Sequence, residues 1–94
     1  MINAKEELLD HIEDREVAYV YITIGDPFYS ETLELYKGTL EEVLPKLENV
    51  VYDSGFGIQE LFGTIWYTDG TWSERCEYDG SEWWEYRERP KIPS

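Results

Sequence analysis

Positive charge is scarce in this chain. Eight Lys and Arg stand against 21 Asp and Glu, with one His, for a formal net charge of −13 over 94 residues. Nucleic acids and anionic membranes are held through clustered cations, so this balance argues against direct binding of either. Cysteine is nearly absent too: Cys76 stands alone, which rules out an internal disulfide and suits a reducing cytoplasm. A single Cys and a single His cannot supply the four N/S ligands of a structural zinc. No Asp-rich loop closed by a Glu forms a calcium site, so neither metal nor cofactor is expected. No apolar run approaches the ~18–20 residues of a membrane span. The start, MINAKEELLD, lacks the basic and apolar regions of a signal peptide.

Aromatics are plentiful. Four Trp, eight Tyr and three Phe make 16% of the chain, against the aromatic-poor composition that leaves acidic chains disordered. The length suits one domain over residues 1–94, burying roughly 60–65% of its unfolded surface in one small core. Only the last residues, 89–94, read as a tail.

The first element is a helix within residues 1–16. Asn3 caps it, with Glu6 completing a capping box. Ala4, Leu8, Leu9 and Ile12 form its apolar stripe, and Glu6, Glu7, Asp10, Glu13 and Asp14 occupy the rest. Residues 17–38 hold two strands. Val17 to Ile24 alternates, with Ala18, Val20, Ile22 and Ile24 as the core face, and stops at Gly25-Asp26-Pro27. A shorter strand covers Thr32 to Tyr36, with Gly38 as its stop. Thr39 and Glu42 open a second helix over 39–49, about three turns long. Leu40, Val43, Leu44 and Leu47 face its core, and Pro45 removes one backbone donor.

Residues 58–88 read as a three-stranded meander: Leu61 to Tyr67, Trp72 to Tyr78 and Trp83 to Arg87, turning at Asp69-Gly70 and Asp79-Gly80. A two-residue first loop sets Tyr67 opposite Trp72 and Ile65 opposite Glu74. In the second hairpin a two-residue loop opposes Glu77 to Glu82 and Glu74 to Glu85, both repulsive. A three-residue loop instead faces Arg75 with Glu85 and is preferred. Leu61, Ile65, Trp72, Cys76, Trp84 and Tyr86 then share the core face, and Phe62, Trp66, Arg75, Glu77, Trp83 and Glu85 the other. The fold class is α+β: a single antiparallel sheet of about five strands, ending in the meander, with two helices packed on one face.

Catalytic signals are weak. Cys76 facing a core is an inert small hydrophobe, and His11 reads as a surface or helix-end residue. Carboxylate pairs carry no information among so many acids. Gly55-Phe56-Gly57 has no Lys and no strand-to-helix context, so it is a turn rather than a phosphate loop. The chain is therefore read as no enzyme, with a Cys76–His11 pair the one alternative.

Charge and aromatics remain. Duplex DNA carries one charge per ~1.7 Å, so thirteen charges match ~22 Å of duplex, on a body roughly 30 Å across. A net charge of ~2–8 already keeps a small domain soluble. The excess suits a cationic groove that ordinarily holds phosphates. Glu6, Glu7, Asp10, Glu13 and Asp14, with Glu77, Glu82 and Glu85 of the last hairpin, are the candidate contacts. Phe62, Trp66 and Trp83 exceed what one core needs and are candidate anchors. A homodimer through that aromatic face is the structural alternative.

The run Leu-Phe-Gly-Thr-Ile-Trp-Tyr-Thr-Asp-Gly-Thr-Trp from Leu61, continuing through Glu-Tyr-Asp-Gly-Ser-Glu-Trp-Trp-Glu-Tyr to Pro90-Lys-Ile-Pro, resembles the C-terminal part of small proteins encoded by bacteriophages and prophages. More loosely, the whole chain resembles small acidic viral inhibitors, including anti-CRISPR and anti-restriction proteins, some of which imitate nucleic acid. The resemblance implies a non-enzymatic inhibitor in the host cytoplasm, bound to the basic surface of a CRISPR effector or nuclease. It carries over no contact residue, because that class shares no motif. The alternative role is a homo-oligomeric phage interaction or assembly protein.

Overall fold

The computed structural model describes residues 2–25, 34–52, 59–78 and 81–90. The elements in chain order are β1 (Ile2–Asn3), α1 (Ala4–Ile12), β2 (Val17–Ile24), β3 (Glu34–Gly38), α2 (Leu40–Leu47), β4 (Val51–Tyr52), β5 (Leu61–Tyr67), β6 (Trp72–Tyr78) and β7 (Ser81–Arg87). The fold is α+β. Five strands form an antiparallel sheet in the order β3-β2-β5-β6-β7, and β1 pairs with β4 as a separate two-stranded ribbon. The expectation of a single sheet is corrected by that ribbon, whose two-residue strands are too short to leave a periodic signature.

Both helices start as the capping residues dictate. Asn3 Oδ1 accepts the Glu6 N–H at 3.0 Å, and Thr39 Oγ1 accepts the Glu42 N–H at 3.3 Å. Each helix is shorter than its sequence segment. α1 ends at Ile12, and α2 has 8 residues rather than about three turns, with Pro45 inside it. Ala4, Leu8, Ile12, Val43 and Leu47 are buried in one cluster with Val20, Ile22, Leu61, Ile65, Tyr67 and Trp84. Leu9, expected in the stripe, is exposed.

β2 keeps the expected bounds, but a bulge between Val17 and Tyr19 changes which residues face inward. Ala18 is exposed, while Val17 packs against the core. β3 extends past the expected end at Tyr36 and takes in Lys37 and Gly38. Residues 32 and 33, with the turns read at 26–27, 55–57 and 79–80 and the end of the tail, lie outside the described residues.

The first hairpin closes on three residues, Thr68 to Gly70. Tyr67 O accepts the Gly70 N–H at 3.2 Å, Tyr67 N–H reaches Thr71 O at 2.9 Å, and Gly70 has φ +90°. A turn followed by a left-handed glycine is the usual three-residue hairpin geometry. Its effect is a one-residue shift: Ile65 opposes Ser73 and Trp66 opposes Trp72. Because side chains alternate, that slip sends Trp72 and Cys76 to the face away from the helices and brings Ser73 and Arg75 inward.

The second hairpin adopts the register that looked repulsive, with Glu77 opposite Glu82, Glu74 opposite Glu85 and Tyr78 opposite Ser81. One acid of the first pair and both of the second are drawn to other groups, which removes the objection. Glu82 turns inward to Arg75, Glu74 accepts the Trp72 indole N–H at 2.7 Å, and Glu85 lies 3.4 Å from Arg87.

Candidate interaction surfaces

The sheet has a helix-covered face and an open face, and the candidate residues divide between them. On the covered side, Arg75 enters the core. Its Nη1 lies 2.9 Å from Glu7 Oε1 and its Nη2 2.9 Å from Glu82 Oε1, with the Arg75 and Glu82 side chains each 1% exposed. Glu82 also accepts the Glu60 N–H at 2.9 Å and the Leu61 N–H at 3.1 Å. These bonds replace a ladder, because β5 pairs with β6 only over Thr64–Trp66. The Tyr52 hydroxyl accepts from Arg75 and donates to Glu7, so the β1–β4 ribbon, α1 and two strands meet at one guanidinium. Burial acts to lower the Arg75 pKa, but Glu7, Tyr52 and Glu82 outweigh it and hold the group firmly protonated. Burial and the bond to Glu7 push Tyr52 well above an ordinary phenol.

Glu7 and Glu82, two of the expected partner contacts, are thus internal supports. A cationic partner reaching them would have to displace Arg75. Glu77 stays exposed at the end of β6, aligned with Glu82.

His11 also turns inward rather than to the surface. Its Nε2 lies 2.7 Å from Ser73 Oγ, which lies 2.6 Å from the Tyr67 hydroxyl. Ser73 is fully buried, so this contact joins α1 to the sheet and offers a substrate no approach. Burial, then the neighbouring Arg15, pulls the His11 pKa below its ordinary value. Cys76 sits across the sheet from His11, so the two do not form a pair. Burial and the bond to Glu85 raise its thiol pKa, which makes it a poorer nucleophile.

The outer side of α1 carries the charge. Glu6, Asp10, Glu13 and Asp14 are all exposed, and no described Lys or Arg lies within ion-pair distance of them. Glu6 and Asp10 lie one helical turn apart, and Glu13 and Asp14 follow in the turn at the helix exit. Arg15, next to Asp14 in sequence, is turned away: it donates to His11 O at 3.0 Å and lies 4.2 Å from the Tyr86 ring centroid, while Lys5, next to Glu6, is in no described ion pair.

Glu13 is held in an unusual way. It has φ 53° and ψ −118°, and the Arg15 N–H bonds Ile12 O at 3.0 Å. Those angles and that bond define a type II′ turn with Glu at the position that favours glycine. Two acids also stand at a helix C-terminus, whose partial negative charge disfavours them.

On the open face lie Phe62, Trp66, Trp83 and Glu85, as expected, joined by Tyr19, Tyr21, Leu35 and Trp72. Tyr19, Tyr21, Leu35, Trp66 and Trp83 are 39–46% exposed. Tyr19 and Trp66 pair across strands with ring centroids 5.8 Å apart. No family model, curated protein or solved structure matches the chain. The sheet separates the open face from the α1 acids, so carboxylates and aromatics form two surfaces, not one charged ring around aromatic anchors. Sequence reasoning missed the Arg75 cluster. Its signal was Asp79-Gly80, a dipeptide suited to a two-residue hairpin loop, which aligns Arg75 with Trp84 and so sends it inward.

Proposed function

We propose that this protein is a non-enzymatic acidic inhibitor of a nucleic-acid-handling defence protein, such as a CRISPR effector or restriction nuclease. On this reading it is phage-encoded and acts in the host cytoplasm. It seats the Glu6–Asp14 side of α1 in a cationic groove that otherwise holds phosphates. The observation that carries the reading is the state of those acids: exposed, without a described ion-pair partner, and placed at Glu13 and Asp14 where helix electrostatics opposes both and backbone geometry opposes Glu13. Residues kept against local stability are where binding roles concentrate. The turn spacing supports imitation of a phosphate backbone, since i and i+4 carboxylates rise by ~6 Å along a helix. Association is steered by charge and weakened by salt.

The test uses purified guide-loaded CRISPR effectors and a restriction endonuclease. Binding and target cleavage are measured between about 0.05 and 0.5 M salt, where screening changes most for exposed charges. Stoichiometric inhibition that fades with salt, and is lost in the combined Glu6→Gln, Asp10→Asn, Glu13→Gln and Asp14→Asn variant, is the expected result. Inhibition that is flat with salt, or intact in that variant, sinks the reading.

A further inference from the structure

We propose that the open face of the sheet is a self-association surface, and that two copies pack face to face into a four-layer sandwich with their helices outside. This inference does not rest on the inhibitor reading.

The first support is local charge. Among the described residues projecting from this face, Lys37 and Arg87 balance Glu74 and Glu85, in a chain whose formal charge is −13. Two copies can therefore approach here without the repulsion their other surfaces would produce. The second support is the uncovered apolar surface of Tyr19, Tyr21, Leu35, Trp66 and Trp83. Five strands ~4.8 Å apart and ~7 residues long present roughly 24 by 24 Å, about the ~600 Å² per side at the small end of specific interfaces.

The third support is the register. One cross-strand row runs Lys37, Tyr21, Thr64, Glu74, Glu85 from edge to edge, and a second runs Tyr19, Trp66, Trp72, Arg87. β5 is the central strand. A twofold axis along it, lying in the interface, inverts each row over itself. Lys37 then meets the partner's Glu85, Tyr21 meets the partner's Glu74, and the two Trp66 side chains meet at the axis. Aligned sheets cross at about −30°, a rotation that long edge side chains can follow. Such an isologous contact is self-complementary and closed, so it ends at a dimer. A partner of another kind would need both signs of charge in the same rows; a second copy supplies them by symmetry.

Sedimentation of the full chain from about 1 to 100 µM, a range spanning weak to moderate affinity, is the test. The expected result is a dimer that persists in high salt, where contact through the α1 acids is lost. Trp66→Glu should give a monomer with unchanged far-UV circular dichroism. Should that variant not fold, the edge residues serve instead. Lys37→Glu and Glu85→Lys should each weaken the dimer about tenfold, and combining them should recover most of the loss, as opposed charges re-form. A monomer throughout the range overturns the proposal. So does a dimer indifferent to the Lys37 and Glu85 variants, which would place the contact elsewhere.

Discussion

Arg75 occupies a position where a small core tolerates a cation only if every donor is met. Two carboxylates and a phenol face it, and Tyr52 and Trp84 rings flank it with centroids 5.3 Å from the guanidinium carbon. Arg75→Leu leaves Glu7 and Glu82 near one another without their counter-ion, and should cost about 3–5 kcal/mol in urea unfolding. Glu82→Gln keeps an oxygen for the Leu61 N–H and should cost less, about 1–3 kcal/mol. Equal, small losses in both variants would mean the cluster is not dry. His11 offers a pH test at the same scale. Its folded pKa lies below the ordinary 6.5, so the unfolded chain binds the proton more readily. Stability from this residue is complete above pH 6.5 and declines as pH falls through the window beneath it. Comparing wild type with His11→Gln, which retains an acceptor for Ser73, should show that decline only in the wild type. The charges acting on His11 are Glu7 of α1, Glu13 at its exit, Arg15 and Arg75, so the readout is the difference between the two proteins, not either curve alone.

Among the elements, α1 and its exit carry the main local conflict. Glu13 holds a positive φ that glycine adopts freely. Glu13→Gly should therefore stabilise the fold by about 1 kcal/mol, despite glycine's greater unfolded entropy, because it removes both backbone strain and an acid at a helix C-terminus. The same change should weaken partner binding in the salt titration. A variant that loses stability would show that Glu13 makes a contact worth more than its strain. β2 and β5 approach closely at Gly63, where a Cβ would lie 2.3 Å from Tyr21 O, so the sheet centre has no room for a larger residue there. The elements themselves were largely legible. β2, β5 and β6 keep their expected bounds because β-branched and aromatic alternation ends at turn residues, and both helix starts follow from Asn3 and Thr39. Register was not legible. The like-charge pairs Glu77–Glu82 and Glu74–Glu85 looked decisive while Arg75, Trp72 and Arg87 had no assigned positions. Once those partners are placed, the turn sets the pairing.

For the whole molecule, charge is unevenly used. Of the described cations, Arg75 is buried, Arg15 stacks on Tyr86 and Arg87 serves Glu85; Lys5 is the one cation within α1 and forms no described ion pair, so acids outnumber nearby positive charge on the outer side of that helix. Self-repulsion of that kind destabilises a compact state and is screened by salt. The thermal midpoint should rise between about 0.01 and 0.5 M sodium chloride, over which the Debye length shrinks from ~30 Å to a few ångströms. A midpoint that falls over this range would show that surface ion pairs, not repulsion, dominate.

Composition and spacing by themselves determined the α+β class, the capped helices, most strand bounds, the acidic surplus and the surplus of rings. These depend on local chemistry: alternation, caps and turn dipeptides act within a few residues. Which carboxylates remain outside was decided only by tertiary structure. A one-residue change in each hairpin register reverses which side chains face the helices, drawing Arg75 inward to take Glu7 and Glu82 out of the surface set. The reason is that a strand's period of two makes facing all-or-none, while the pairing that fixes it depends on partners distant along the chain.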